Sequence, residues 1–211
     1  MWFKSISLSL LGLGVFVLMQ VLMPIVAFQV WQLTSFNQDS LLASPHQNSL
    51  ITSQVLGVSI ENIDNFPRLI SNGNSIAPYG EFSLTIPSIN LTATKVKVNS
   101  NDFEESLAQL PGTALPGEKG NVFISGHSSI STVLHQKAVF ANLVKVKKGD
   151  QVQISALGQQ FEYQVMGLKI VEPDDISVVY PPSEDGRYLT LMTCVPPGFN
   201  TKRLIVLAKL K

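Results

Sequence analysis

Residues 150–167, DQVQISALGQQFEYQVMG, alternate polar and apolar side chains in two runs separated by a glycine turn. Val152, Ile154 and Ala156 fall on one face, with Gln151, Gln153 and Ser155 on the other; Phe161, Tyr163 and Val165 then alternate against Glu162 and Gln164. A period of two is the signature of a half-buried strand, because a helix of period 3.6 would scatter the same apolar residues around its circumference. KKGD and LGQQ supply the turns. The texture is the same from Glu81 onward. FSLTIPSINLTATKVKV alternates and is rich in β-branched residues, and NVFISGH, LTLMTC and RLIVLAKL are short apolar runs. Roughly seven or eight strands fit this part of the chain. Helical patterning is confined to DFEESLAQL and HQKAVFANLVKV. Many short strands, Gly/Pro turns and a few short helices predict an all-β barrel or sandwich over residues 81–211.

The front of the chain is different. No charged residue occurs from Ser5 to Gln38, and Ile6–Phe28 has only Ser7, Ser9 and Gln20 as clearly polar interruptions. That run matches the ~20 residues a helix needs to cross a bilayer. A cleaved signal peptide would have an apolar region of only ~7–15 residues ahead of a small-x-small site. This run is longer and no such site follows, so residues 1–31 read as an uncleaved anchor. Pro24 near its far end is tolerable in such a helix, and Trp2 and Trp31 flank it as interfacial aromatics. Lys4 precedes the span and the next basic residue is Arg68. The positive-inside rule then keeps the short N-terminus in the cytoplasm and places the rest outside. Residues 32–80, rich in Ser, Asn, Gln, Gly and Pro, read as a polar tether, with VLGVSIENI as a short ordered piece and RLISNGNSIAPYG as loop. The 15 basic residues balance 15 acidic ones without a basic stripe, so there is no electrostatic footprint for nucleic acid.

Outside the cell a single cysteine cannot form an internal disulfide. Cys194 is the only one, at the end of the LTLMTC run and ahead of a loop with two prolines and a glycine. Its thiol is either buried and inert, as free cysteines usually are, or exposed and employed. A thiol nucleophile needs an acid–base partner. His46 lies in the tether and reads as solvated, and His135 lies in a loop or helix start. His127 ends the strand NVFIS after Gly126, so it and Cys194 both project at a strand end. Arg203 opens the next apolar run; taken alone it reads as an exposed edge charge. Three histidines and one cysteine are too sparse for a metal site.

The order strand–His, then strand–Cys–loop–Arg–strand, resembles the sortases. LTLMTC is similar to that family's TLxTC signature, with Thr190, Leu191, Thr193 and Cys194 matching and Met192 in the free position. LPGTALPGEKGNVFISGHSS resembles the segment that ends in the family's catalytic histidine, which points to His127. FANLVKVKKGDQV resembles the stretch that follows, and Arg203 falls where the family's arginine opens the last strand. The resemblance runs from about Phe82 to Leu210 and implies a closed eight-stranded β-barrel behind one N-terminal transmembrane helix.

It also implies a membrane-anchored cysteine transpeptidase. Such an enzyme cuts an LPxTG-like sorting signal of a secreted protein through a thioacyl intermediate. It then passes the acyl group to an amine, such as a cell-wall precursor or a pilin lysine. Cys194 is the implied nucleophile, His127 the acid and base, Arg203 the donor to substrate backbone or oxyanion, and Thr193 a residue holding the substrate. The pilin-polymerising class carries an Asp-Pro-aromatic lid motif before the barrel. ENIDNFPRLISNGNSIAPYG has none, so no such lid is expected, although IDNFPRLI is free to pack near the site. Some class A members bind calcium through acids in the loop before the cysteine strand. Glu172, Asp174 and Asp175 cluster there, but three loop acids are ordinarily solvated, and no cofactor is expected. Two other outcomes fit the same fold: an endopeptidase that releases the acyl group to water, and a catalytically silent binding module whose Cys194 does not react. A papain-like peptidase would place its cysteine before its histidine, which this chain does not.

Overall fold

The computed structural model describes residues 2–35, 58–63, 66–71, 77–102, 106–129, 138–197 and 200–211. His46 and His135 lie outside them, as do residues 36–57 of the expected tether. The chain divides into two compact units, Met1–Asp39 and Ser40–Lys211.

The first unit is built on one helix, α1 (Trp2–Ser35), which continues through Pro24 and has no acidic residue in its first turn and no basic one in its last. The consecutive side chains Val15, Phe16, Val17, Leu18 and Met19 are all exposed. Five consecutive residues sweep the whole circumference of a helix, so this part of α1 is apolar all round rather than amphipathic. The longest stretch of α1 with described side chains, 10–20, covers only ~16 Å of the ~30 Å hydrocarbon core. Among the described residues, no helix is long and apolar enough to cross a membrane.

The first described elements of the second unit form a two-stranded antiparallel sheet, β1 (Val58–Ile63) and β2 (Phe66–Ser71), in which Val58 pairs with Ser71 and Ile63 with Phe66. RLIS, expected as loop, is therefore strand. Pro67 is accommodated because a two-stranded sheet consists only of edges.

Eight strands then close into a barrel: β3 (Glu81–Ile86), β4 (Leu91–Lys97), β5 (Leu107–Gln109), β6 (Gly120–Ser125), β7 (Gln151–Ala156), β8 (Gln159–Val171), β9 (Arg187–Val195) and β10 (Lys202–Leu210). Their order around it is β10-β8-β7-β3-β4-β5-β6-β9, and β9 pairs with β10 to complete the circle. The pairs β4/β5 and β6/β9 are parallel, and the others are antiparallel. The alternation legible in the sequence is the inside/outside alternation of the wall: Phe82, Leu84 and Ile86 on β3 and Val152, Ile154 and Ala156 on β7 point inward and are buried. DFEESLAQL does not form the expected helix over its described end, because Leu107–Gln109 is the strand that bridges β4 to β6. In HQKAVFANLVKV the described helical part is a 3₁₀ turn at Leu143–Lys145; residues 135–137 lie outside the described set.

Strand β9 shows no alternation in burial, since every residue from Tyr188 to Val195 is buried. One of its faces lines the barrel. The other, with Met192, joins Leu110, Phe123, Val171 and Ile205 in an apolar cluster completed by Val179 and Val178 of the 3₁₀ turn Ile176–Val179. This loop between β8 and β9 thus covers the outer face of the strand that bears the cysteine.

Candidate active site

Cys194 sits one residue before the end of β9, and its antiparallel partner on β10 is Arg203. On the other side β6 runs parallel to β9, with Phe123 opposite Thr190 and Ser125 opposite Met192. Continuing that register by two residues brings His127 opposite Cys194, and the Gly126 N–H donates to the Met192 carbonyl at 3.2 Å along the same seam. Three strands therefore bring His127, Cys194 and Arg203 into one row at one end of the sheet. Side-chain parity places Asn121, Phe123, Ser125 and His127 on the same outer face as Thr190, Met192 and Cys194.

The segment leading into His127 is fixed by packing. A Cβ on Gly126 would lie 2.4 Å from Leu107 Cδ2 and 2.9 Å from Phe140 Cδ2, so any other residue would push that pair aside. Beyond it, the Phe140 N–H donates to the His127 carbonyl at 2.9 Å. Thr193 Oγ1, on the opposite face of β9 from Cys194, donates to the Gly126 carbonyl at 2.7 Å and is fully buried. The Thr of the signature next to the cysteine thus ties the two functional strands together at the residue preceding His127. The other signature threonine acts at longer range. Thr190 Oγ1 donates to Asn121 Oδ1 at 3.0 Å, and Asn121 Nδ2 donates to the Val179 carbonyl at 2.9 Å. That relay fixes the 3₁₀ turn over the apolar cluster.

Arg203 is not the exposed edge charge that its position suggested. Only 2% of it is exposed, against 3% for Cys194. Its Nη1 donates to the carbonyls of Asn200, at 2.9 Å, and Lys202, at 3.1 Å. Asn200 adopts the left-handed conformation (φ 55°), which asparagine tolerates better than most residues. The turn after the cysteine is thereby shaped to hold the guanidinium. Burial lowers the arginine's pKa, and the neighbouring thiol acts in the opposite direction. A guanidinium nevertheless stays charged throughout the working pH range.

Burial pushes the Cys194 thiol above its ordinary pKa, and the Arg203 charge offsets part of that rise. The resting group is therefore a protonated, sheltered thiol, and the choice between buried-inert and exposed-employed is too coarse for it. Its alkylation by iodoacetamide should be slow at neutral pH. The rate should climb with a midpoint above that of free cysteine and of the unfolded chain; a midpoint below free cysteine would mean that the arginine outweighs burial. Since the folded value is the raised one, the thiol's contribution to stability is complete below the unfolded pKa and is lost as pH rises through the folded one.

Two of the three loop acids are engaged by lysines. Glu172 pairs with Lys202 at 2.7 Å and Asp175 with Lys169 at 3.8 Å, while Asp175 Oδ1 also accepts from the Ser177 N–H. Two features of the site had little signal in the sequence. One is the Asn200 carbonyl under the arginine, hinted at only by an asparagine in a turn. The other is a pair of hydroxyls, Ser125 Oγ and Ser128 Oγ, that are buried and make no hydrogen bond among the described residues.

The family model "Sortase domain" matches residues 84–211. The chain is 30% identical over 130 residues to Sortase D of Bacillus subtilis (strain 168), covering 60% of this chain and 61% of that one. It is 31% identical over 127 residues to Sortase A of Bacillus anthracis, covering 58% and 56%. The chain thus spans about three fifths of the length of these two curated relatives. Among solved structures it resembles a lid mutant of Sortase A from Corynebacterium diphtheriae, with a TM-score of 0.57 and 28% identity over 66% of this chain and 74% of that one. A Clostridium perfringens Sortase D5 transpeptidase is similar, with a TM-score of 0.54 and 29% identity over 63% of this chain and 79% of that one.

Proposed function

Because this chain belongs to the sortase family, we propose that it is a cysteine transpeptidase that cuts an LPxTG-like signal in secreted proteins and joins the acyl half to an amine. The observation that carries this reading is the pairing of Cys194 with Arg203 across β9 and β10, with His127 two residues beyond the end of β6, the parallel neighbour of β9.

Each half-reaction has a role for these residues. The Cys194 proton passes to His127, and the sulfur attacks the scissile carbonyl. As the C–N bond breaks, His127 returns the proton to the leaving amine, and the acyl group remains on sulfur as a thioester. An incoming amine then attacks the thioester carbonyl and gives a proton to His127. The C–S bond breaks and the thiol is restored. Arg203 is the fixed cation beside the reacting carbon. A preorganised donor to the developing oxyanion contributes ~3–4 kcal/mol in such a site. Thr193, expected to hold the substrate, is fully buried with its hydroxyl donated to the Gly126 carbonyl, so in this reading it is a positioning residue, acting through Gly126 on the placement of His127. A thioester persists long enough for an amine to compete with water, so the bond can be exchanged without a nucleotide cofactor.

The anchor belongs to the same reading. The apolar circumference of α1 suits a bilayer rather than water, and the charge on Lys4 keeps the N-terminus inside. The catalytic unit then stands outside the cell membrane, where secreted proteins and wall or pilin amines meet it.

The test is product analysis. The detergent-solubilised full chain is incubated with a set of LPxTG-like peptides, with and without triglycine or a lysine-bearing acceptor peptide. A ligated product that grows with amine concentration at the expense of acid is expected. Acid alone at every amine concentration indicates an endopeptidase, and no cleavage or acyl-enzyme by mass spectrometry indicates a silent module.

A further inference from the structure

The loop of residues 172–186, between β8 and β9, crosses the outer face of the sheet that bears the cysteine. It leaves β8 after Val171, the partner of Arg203 on β10. Glu172 reaches Lys202, and Asp175 turns back to Lys169, whose partner on β10 is Ile205. Val178 and Val179 then come down on the cluster that holds Phe123, Met192 and Ile205, and Asn121 of β6 takes the Val179 carbonyl at the far side. Cys194 stands on that same outer face, one same-face step beyond Met192. A peptide whose carbonyl meets the sulfur therefore lies along the edge of this loop.

The ties that hold the loop are unequal. The pairs of Glu172 with Lys202 and of Asp175 with Lys169 are partly solvated and contribute little. The tie at the far side is sheltered, with Asn121 at 3% exposure and Thr190 at 1%. The closing carbonyls of a helical turn have no donor within it. Asn121 Nδ2 supplies one to the turn Ile176–Val179, at 2.9 Å from the Val179 oxygen and 3.4 Å from that of Val178. Thr190 Oγ1 donates to Asn121 Oδ1 at 3.0 Å and so fixes which end of the amide faces the turn.

Resting on the transpeptidase reading above, we infer that Asn121, oriented by Thr190, is a positioning residue for peptide binding. It sets the affinity for the peptide by holding the loop edge, and it takes no part in making or breaking bonds. Six residues separate Asn121 from His127, ~20 Å of extended chain, and Asn121 is buried. Its effect reaches the site only through the turn.

The test compares Asn121→Ala and Thr190→Val with the parent as detergent-solubilised full chains, each well below its Tm, on the LPxTG-like peptide that the parent cleaves best. Asn121→Ala should raise KM about 3- to 10-fold, the range of one net hydrogen bond, and leave kcat within about twofold, the pattern of lost binding rather than lost chemistry. Thr190→Val should shift KM in the same direction, and the double variant no further than Asn121→Ala, since both act through one amide. Without peptide, amide hydrogen exchange at 176–180 should quicken in both variants while 188–195 stays protected. If Asn121→Ala does not fold, Thr190→Val decides alone. Loss of kcat at unchanged KM, or exchange that quickens across β9 as well, would show a general structural role. An unchanged KM with a loosened turn would show that the loop edge does not meet the peptide, and unchanged exchange would show that the relay does not hold the turn. Each of these outcomes is read with an active parent and leaves the transpeptidase reading standing. A parent that cleaves no peptide in the set overturns that reading, and this inference with it.

Discussion

Alanine at Cys194 is expected to abolish both cleavage and acyl-enzyme formation while the barrel folds as before. Alanine at His127 should lower kcat/KM by about 10²–10⁴-fold, the range of a positioned acid–base group. Cys194 is 3% exposed on a strand whose neighbours are all buried, so its loss leaves a small cavity costing ~1 kcal/mol and no change of topology. The two residues act on one proton, so the double variant should be no slower than Cys194→Ala alone. Turnover, intact mass after peptide addition and far-UV circular dichroism read the three outcomes. His135→Ala and His46→Ala serve as controls expected to keep activity. An inactive, folded His135→Ala beside an active His127→Ala would move the acid–base role to the other histidine.

Arg203→Lys is expected to lose ~10²–10³ in kcat/KM, the scale of one oxyanion donor. Lysine keeps the charge but presents a flexible point donor where arginine presents a planar fork. The substitution also affects the resting fold. Arg203 is buried, and its Nη1 holds the Asn200 carbonyl at 2.9 Å. Losing that charge-assisted bond should cost about 1–3 kcal/mol, so the variant must be assayed well below its lowered Tm. Lys202→Ala is the control. Its side chain is 41% exposed and pairs with Glu172 on the surface, where an ion pair contributes ~0–1 kcal/mol. It should stay within a few-fold of the parent. Near-normal turnover in Arg203→Lys would show that charge alone is enough, and near-normal turnover in Arg203→Ala would remove the residue from the chemistry.

What the sequence made legible, and what it did not, follows from how far each signal reaches along the chain. The period-two runs at 151–156 and 159–165 are local, and they appear as β7 and β8 with the anticipated faces inward. Leu107–Gln109 is strand for a non-local reason: three residues have no period of their own and become β5 only because β4 and β6 offer edges on both sides. RLIS gained strand structure in the same way from pairing with β1. At the site, the order of His127, Cys194 and Arg203 was readable through the family resemblance. The burial of Arg203 was not, because it depends on the backbone carbonyls of a turn. Thr193 stood out in the signature, yet its hydrogen bond to Gly126 spans 67 positions and is visible only in three dimensions. The buried hydroxyls of Ser125 and Ser128 carried no sequence signal, since burial is set by the surrounding fold.

The place of β10 in the barrel has a consequence for timing. It is the last barrel strand in chain order, and it lies between β8 and β9, touching both. Until it docks, the sheet has two open edges and the thiol has no cation beside it. The closure of the wall and the pairing of Cys194 with Arg203 thus depend on the same strand. A chain truncated before Lys202 is expected to lose both at once and to leave the edges of β8 and β9 open to pairing with other chains.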